Sequence, residues 1–181
     1  YAHTRPYRGM KLEDIEILHA LHEWKVEADY SSAVRLLEPF VRQLEQKEDS
    51  LANRNKYYRP LSYLKEKLLL WEIKQQVDSV NVGDSVRPYL KKDMLEGVYC
   101  DDGRRTYYWE GNQMINTLIA YRIIKNDPSL CKLKENMQLY ILRTKERGWN
   151  TYQASSAVAT VLTDLLAGSG GMSGTSVFVS G

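Results

Sequence analysis

The sequence predicts an all-α fold of antiparallel helical hairpins, interrupted by one small β-hairpin near residues 98–109. Three observations lead there. Apolar residues recur at three-and-four spacing through most of the first 167 positions, the signature of one buried helical stripe after another. Breakers are sparse in that stretch, because five of the 11 glycines lie from Gly168 onward. A Trp-x-x-x-Gln pattern also returns after 40 residues, about what a helix, a turn, a return helix and a turn consume.

Residues 11–27 place Leu12, Ile15, Leu18, Leu21 or His22, and Val26 on one stripe, an amphipathic helix. Ser31 or Ser32 then offers a hydroxyl as N-cap to a second helix through Ala33, Leu36, Leu37, Phe40, Val41 and Leu44, with a kink at Pro39. A charged break is expected over 46–55. After Pro60, the positions Leu61, Leu64, Leu68 and Trp71, widened by Leu69, Leu70 and Ile73, describe a helix apolar on most sides and therefore deeply packed. Residues 82–95 are weaker, with Asp84 as a cap and Pro88 in the first turn of a short helix.

Val98 to Trp109 sets Asp102-Gly103 between two runs of β-formers, which predicts the hairpin turn there. Three further helices are expected over 113–125, 128–146 and 151–167. Asp127-Pro128 opens the second, Asn150 or Thr151 caps the third, and Gly148 and Gly168 act as stops. The last helix should bury Ala154, Ala157, Val158, Val161, Leu162, Leu165 and Leu166 together.

Composition narrows function. Among 181 residues, 25 Lys+Arg oppose 23 Asp+Glu, a formal charge of +2, so no one-sign field points to nucleic acid or an anionic membrane. No apolar run approaches the ~20 residues of a membrane span. The chain starts at Tyr1 without Met and ends in a Gly/Ser-rich stretch leading to Thr175–Val179, so it reads as a segment of a longer protein. On that reading residues 1–167 form a helical domain, and 168–181 a linker and the start of a β domain. Cys100 and Cys131 read as two buried thiols rather than a disulfide framework.

The residues singled out each have a bland reading beside the functional one. His19, His22 and Glu23 lack the spacing of a zinc helix and a third strong ligand, so they read as ordinary boundary residues. Asp101, Asp102 and Glu110 bracket the aromatic hairpin as paired carboxylates for sugar hydrolysis would, but Asp-Gly turn chemistry explains the first two. Arg54 to Arg59 mixes cations with Tyr57 and Tyr58 in one short loop, too little for strand binding. Ser155 and Ser156 lack a nucleophile elbow and read as packing residues. No metal or cofactor is called for. The structural and interaction candidates are Trp109 with Gln113, Trp149 with Gln153, and the aromatic pair Tyr107 and Tyr108. Each indole would cover a helix start, and each glutamine would bond a neighbouring helix end. Trp71 and Gln75 share that spacing inside a helix and read as coincidence.

Hairpins alone do not separate an open solenoid from a closed ring. Residues 107–121, Asn126-Asp-Pro128 and the stretch 139–159, above all Trp149-Asn-Thr-Tyr-Gln-Ala154, resemble the last two hairpins of the thioester-type α/α toroid of bacterial alpha-2-macroglobulins. The resemblance covers about residues 98–167 and implies the later part of such a toroid, in a secreted, periplasmic or envelope-anchored proteinase inhibitor that works by entrapment. It implies neighbouring domains and a target proteinase as partners. A toroid cut short would expose apolar edges and tend to dimerise. The Cys-x-Glu-Gln thioester is not present, since Cys100 precedes Asp101-Asp-Gly103 and Cys131 precedes Lys132-Leu-Lys134, so no catalytic or covalent residue carries over. The alternatives are an α/α-toroid enzyme acting on polysaccharide and a helical-repeat scaffold for a protein partner.

Overall fold

The computed structural model describes residues 9–106, 112–145 and 151–169, except for the side chains of residues 112, 151–153 and 168–169. It is mainly helical, with one small antiparallel ribbon. The elements are α1 (Glu13–Glu23), α2 (Tyr30–Arg54), α3 (Leu64–Asp78), a short α4 (Gly83–Val86) running into a tight turn at Arg87–Tyr89, β1 (Leu90–Lys92), β2 (Val98–Cys100) and α5 (Asn112–Ile124). A turn at Pro128–Leu130 then leads into α6 (Cys131–Thr144). The last rod is α7 (Thr151–Ala157), a π-helical turn (Val158–Leu162) and α8 (Thr163–Ser169).

Helix directions are legible from the polar contacts. Ser31 donates to Asp78 (2.7 Å), Lys74 to Glu38 (2.8 Å) and Lys67 to Glu45 (3.1 Å), so numbers rise on α2 as they fall on α3 and the two are antiparallel. Gln138 to Tyr121 and Thr144 to Met114 set α6 antiparallel to α5 in the same way. The other contacts rise together. Lys65 meets Glu16 and Glu72 meets His19 between α3 and α1, while Arg122 meets Glu72 and Gln75 meets the Ile123 carbonyl between α5 and α3. Asp164 of the last rod reaches Tyr121 and Lys125, farther along than the Ser155–Thr160 stretch that lies beside Ile119 and Arg122. Thus α1, α3, α5 and the last rod form a parallel row, with α2 and α6 returning antiparallel against it. The shared core is aliphatic, and Ile15, Leu68, Leu70, Ile73, Leu118, Ile124, Met137 and Ile141 are fully buried in it.

Several expectations are corrected. The N-cap of α2 is Asp29, whose carboxylate accepts from the Ser32 amide (3.0 Å), not Ser31 or Ser32. The charged break over 46–55 is helix instead, because its charges find partners: Glu48 is buried and accepts from the Tyr58 hydroxyl (2.7 Å) and the Leu61 amide (2.9 Å), and Asp49 pairs with Arg104. Asp84 lies inside the first turn of α4 rather than capping it.

The hairpin is displaced by one strand. Among the described residues β2 pairs with the preceding β1, in register Leu90↔Cys100 and Lys92↔Val98, and not with a strand after Asp102-Gly103; residues 107–109 of the expected second arm lie outside the described residues. The loop between them is organised by Asp93, whose carboxylate accepts from the Leu95 and Gly97 amides. Asp102-Gly103 does turn the chain, with Gly103 at φ +73°, but the next residues run to Pro60–Ser62, where Arg105 bridges Leu61 in parallel.

The last helix contains the π turn and continues through Gly168 to Ser169. The wider turn shifts the phase of the stripe: Ala157 and Val161 are buried, while Val158, Leu165 and Leu166 are exposed. Of the cysteines, Cys100 is buried and Cys131 exposed, both free.

Candidate functional site

A concave groove of about 670 Å³ runs along the parallel row. Every member of the row contributes: Glu16, His19, Glu23 and Trp24 at α1 and its C-terminus, Lys65 and Leu69 of α3, Ile119 and Arg122 of α5, and Ser155, Ser156, Ala159 and Thr160 of the last rod. The side chains arrive there because each helix presents a residue pair at i and i+3 or i+4 on the inward stripe. Small residues on the last rod keep that wall low.

Beneath the groove lies a charge cluster. Glu72, in the apolar run Leu68–Ile73, is buried and accepts two parallel bonds from Arg122, Nε to Oε1 at 2.6 Å and Nη2 to Oε2 at 2.7 Å. His19 Nε2 lies 2.9 Å from the same Oε2, and His19 Nδ1 lies 3.9 Å from Glu23. Burial alone would raise the Glu72 carboxyl, but hydrogen bonds from Arg122 and His19 outweigh it and hold the group down to about 2. Glu72 is therefore a fixed anion and a poor proton donor. Its bidentate fork to Arg122 has the geometry of the strong carboxylate–guanidinium pair, and it joins three helices at one point.

A second polar knot sits behind the row. Gln138 donates to the buried Tyr121 hydroxyl (2.7 Å), which bonds Asp164 (3.0 Å), itself paired with Lys125. Burial first, and then Asp164, push the Tyr121 hydroxyl up to about 12. A third feature is Lys67, whose ammonium sits over the rings of Trp71 (5.5 Å) and Tyr89 (4.9 Å) while bonding Glu45.

Of the residues chosen from sequence, Tyr107, Tyr108, Trp109 and Trp149 lie outside the described residues, as does the side chain of Gln153. Gln113 opens α5, half-buried beside Tyr99, Tyr140 and Arg143, and its carbonyl accepts from Thr117. The Tyr99 and Tyr140 rings stack there at 5.2 Å. His19 and His22 do not converge: His19 turns inward to Glu72, and His22 packs edge-on to Tyr30. Asp101 and Asp102 hold their own turn, accepting from the Gly103 and Arg104 amides. Gln75, whose spacing reads as coincidence, does bond a helix end, donating to the Ile123 carbonyl at 2.9 Å.

Sequence reasoning missed the Glu72–Arg122 pair. The available signal was an acid set in the apolar run Leu68–Ile73 of α3 and Arg122, the one charged residue of α5, which in a buried setting must be partnered. Comparison with protein-family models, curated proteins and solved structures gives no match.

Proposed function

We propose that the chain is a non-catalytic helical domain of a macroglobulin-like proteinase inhibitor, acting in the cell envelope or outside the cell and offering surfaces to neighbouring domains of the same protein. The observation that carries this reading is the alternation of direction: α1, α3, α5 and the last rod run parallel around one concave groove, while α2 and α6 return antiparallel against them. Hairpins laid in that order are what an α/α toroid is built from, which supports the ring implied by the sequence resemblance. The apolar seam of Val158, Leu165 and Leu166 supports an interface role for the last rod.

The enzymatic alternative needs an acid able to give up a proton in the groove. Of the described acids there, Glu16 is paired with Lys65 at 2.5 Å and Glu72, beneath the groove, is locked by Arg122, which leaves the exposed Glu23 as the one groove carboxylate on which that reading would rest. The test uses the full-length protein containing this chain, incubated with a trypsin-like proteinase. Cleavage of a large protein substrate should fall while cleavage of a small chromogenic peptide persists, as entrapment requires. If both rates stay unchanged across a range of proteinase specificities, the proposal is wrong.

A further inference from the structure

A basic surface gathers where the C-terminal end of α2 meets the chain that follows the ribbon. From Ser50 to Lys65 the sequence holds four cations and no acid. That loop by itself is too short for strand binding, but packing enlarges it. The Arg105 amide donates to the Pro60 carbonyl (3.1 Å) and the Ser62 amide to the Arg105 carbonyl (2.8 Å), which lays Arg104-Arg105 alongside residues 60–62. The Arg105 charge is felt at the Tyr58 hydroxyl, so its side chain lies near the loop.

Charge is unbalanced there even with the buried acid counted. Arg54, Lys56, Arg59, Arg104 and Arg105 stand against Glu48, Asp49 and Asp102, an excess of two positive charges. The carboxylates are also taken: Asp49 by Arg104 (2.9 Å), Glu48 by the Tyr58 hydroxyl and the Leu61 amide, and Asp102 by Ser62 and the Arg104 amide. Arg54, Lys56, Arg59 and Arg105 are exposed, and among the described residues their side chains make no ion pair or hydrogen bond. Arg54 suits the negative end of α2, whereas the other three have no such role.

The two tyrosines of the loop part company. Asn55 folds the chain tightly, its side-chain oxygen accepting from the Tyr57 amide (3.0 Å) and its carbonyl from the Tyr58 amide (2.9 Å). Tyr58 turns in to Glu48, but Tyr57 is 90 % exposed, with its hydroxyl unpartnered among the described residues. A ring fixed on a tight turn, with Lys56 before it and Arg59 after it, is presented to a flat partner.

We propose that this surface binds single-stranded nucleic acid, with Lys56, Arg59 and Arg105 pairing with backbone phosphates and Tyr57 stacking on one base. Guanidinium forks match phosphate oxygens, and an exposed ring receives any unstacked base. An acidic peptide would satisfy the cations but leave the ring without a planar partner. The surface is separate from the inhibitor reading and does not depend on it.

The test is fluorescence anisotropy of a labelled oligothymidylate of about 12 nucleotides, titrated with the whole chain at several salt concentrations. Saturable binding is expected, with log K falling against log salt at a slope of about −2, from three phosphate contacts at about −0.7 each. Arg59→Gln and Arg105→Gln should each flatten that slope by about 0.7. Tyr57→Ala should instead weaken binding roughly tenfold with the slope unchanged, since a stacked base carries no counter-ion. Lys132→Gln, which removes an exposed cation on α6, should bind as the parent does, and at these exposed positions circular dichroism should not change. The idea fails if binding does not saturate at low salt, if the arginine variants leave the slope unaltered, or if Tyr57→Ala binds as well as the parent. It also fails if polyglutamate competes as strongly as the oligonucleotide, which would make the surface a dock for acidic polypeptide.

Discussion

Among single residues, Glu72 shows how a charge can be kept inside an apolar helix. Its carboxylate is desolvated, a state that would cost several kcal/mol if left alone, and the Arg122 fork with the His19 nitrogen compensates it. The pH consequence has a definite sign. The folded-state value of about 2 lies below the ordinary 4.5, so the stabilising contribution is full above about 4.5 and is lost as pH falls towards 2. Glu66 works the other way, since burial pushes its carboxyl up, and the effect of Glu72 is therefore read as a difference between proteins. Urea denaturation followed from pH 7 down to pH ~3 should show the parent losing stability relative to Glu72→Gln, so that the gap between them narrows. At neutral pH the variant should be less stable by about 3 kcal/mol, because Arg122 is left without its counter-ion. A gap independent of pH would show that the carboxylate is not held charged by this cluster.

Among the elements, the ribbon is a case where a short segment is fixed by its surroundings. The Leu90-Lys-Lys92 run has little strand character of its own, and β2 offers three residues only. What holds them is docking: the Cys100 amide donates to Thr117 (2.9 Å), Tyr99 stacks on Tyr140, and Arg143 bonds Asp93 (2.8 Å) at the turn. Gly97 is needed for that close approach. A Cβ there would lie 2.2 Å from Arg143 Nη2, 3.0 Å from Asp93 Oδ2 and 3.1 Å from the Cβ of Tyr140. The arginine head can swing away, but the Tyr140 Cβ is fixed to its helix. Gly97→Ala should therefore break the Arg143–Asp93 pair and lower stability by about 1–3 kcal/mol. Thermal melting checks the loss, and a variant as stable as the parent would mean that the ribbon can lift off α6 without cost. Sequence alone misplaces the hairpin for the same reason. Asp102-Gly103 carries the local turn chemistry, but the strand partner is set by which segment lies against α5 and α6.

Across the molecule, the row of parallel helices leaves its ends uncovered. The last rod exposes Val158, Leu165 and Leu166, at 50 %, 38 % and 73 %, on a surface with no further helix beyond it among the described residues. Such a seam should drive weak self-association of the chain. Sedimentation equilibrium should show a mass rising with concentration, and Leu166→Glu should reduce it. A monomer at all concentrations would mean that the seam is too narrow to bury useful area.

The helices and their order are already written in the residue pattern, because a 3.6-residue stripe of Leu, Ile and Val is a local property that packing only confirms. The stripes at Ile15, Leu64 to Ile73 and Leu118 to Ile124 form the core as their spacing requires, and Asp127-Pro128 turns the chain where its chemistry allows. The indole-and-amide repeat belongs to this local layer too, though three of its four side chains fall outside the described residues. The candidate site, by contrast, exists only through packing. Glu72 and Arg122 are 50 positions apart, and nothing in either neighbourhood names the other. They meet because α3 and α5 lie side by side in the same direction, which brings this acid and this base to one depth in the core. The groove above them has the same origin. Four helices supply its walls, and each contributes a few residues whose shared purpose arises once the helices are side by side.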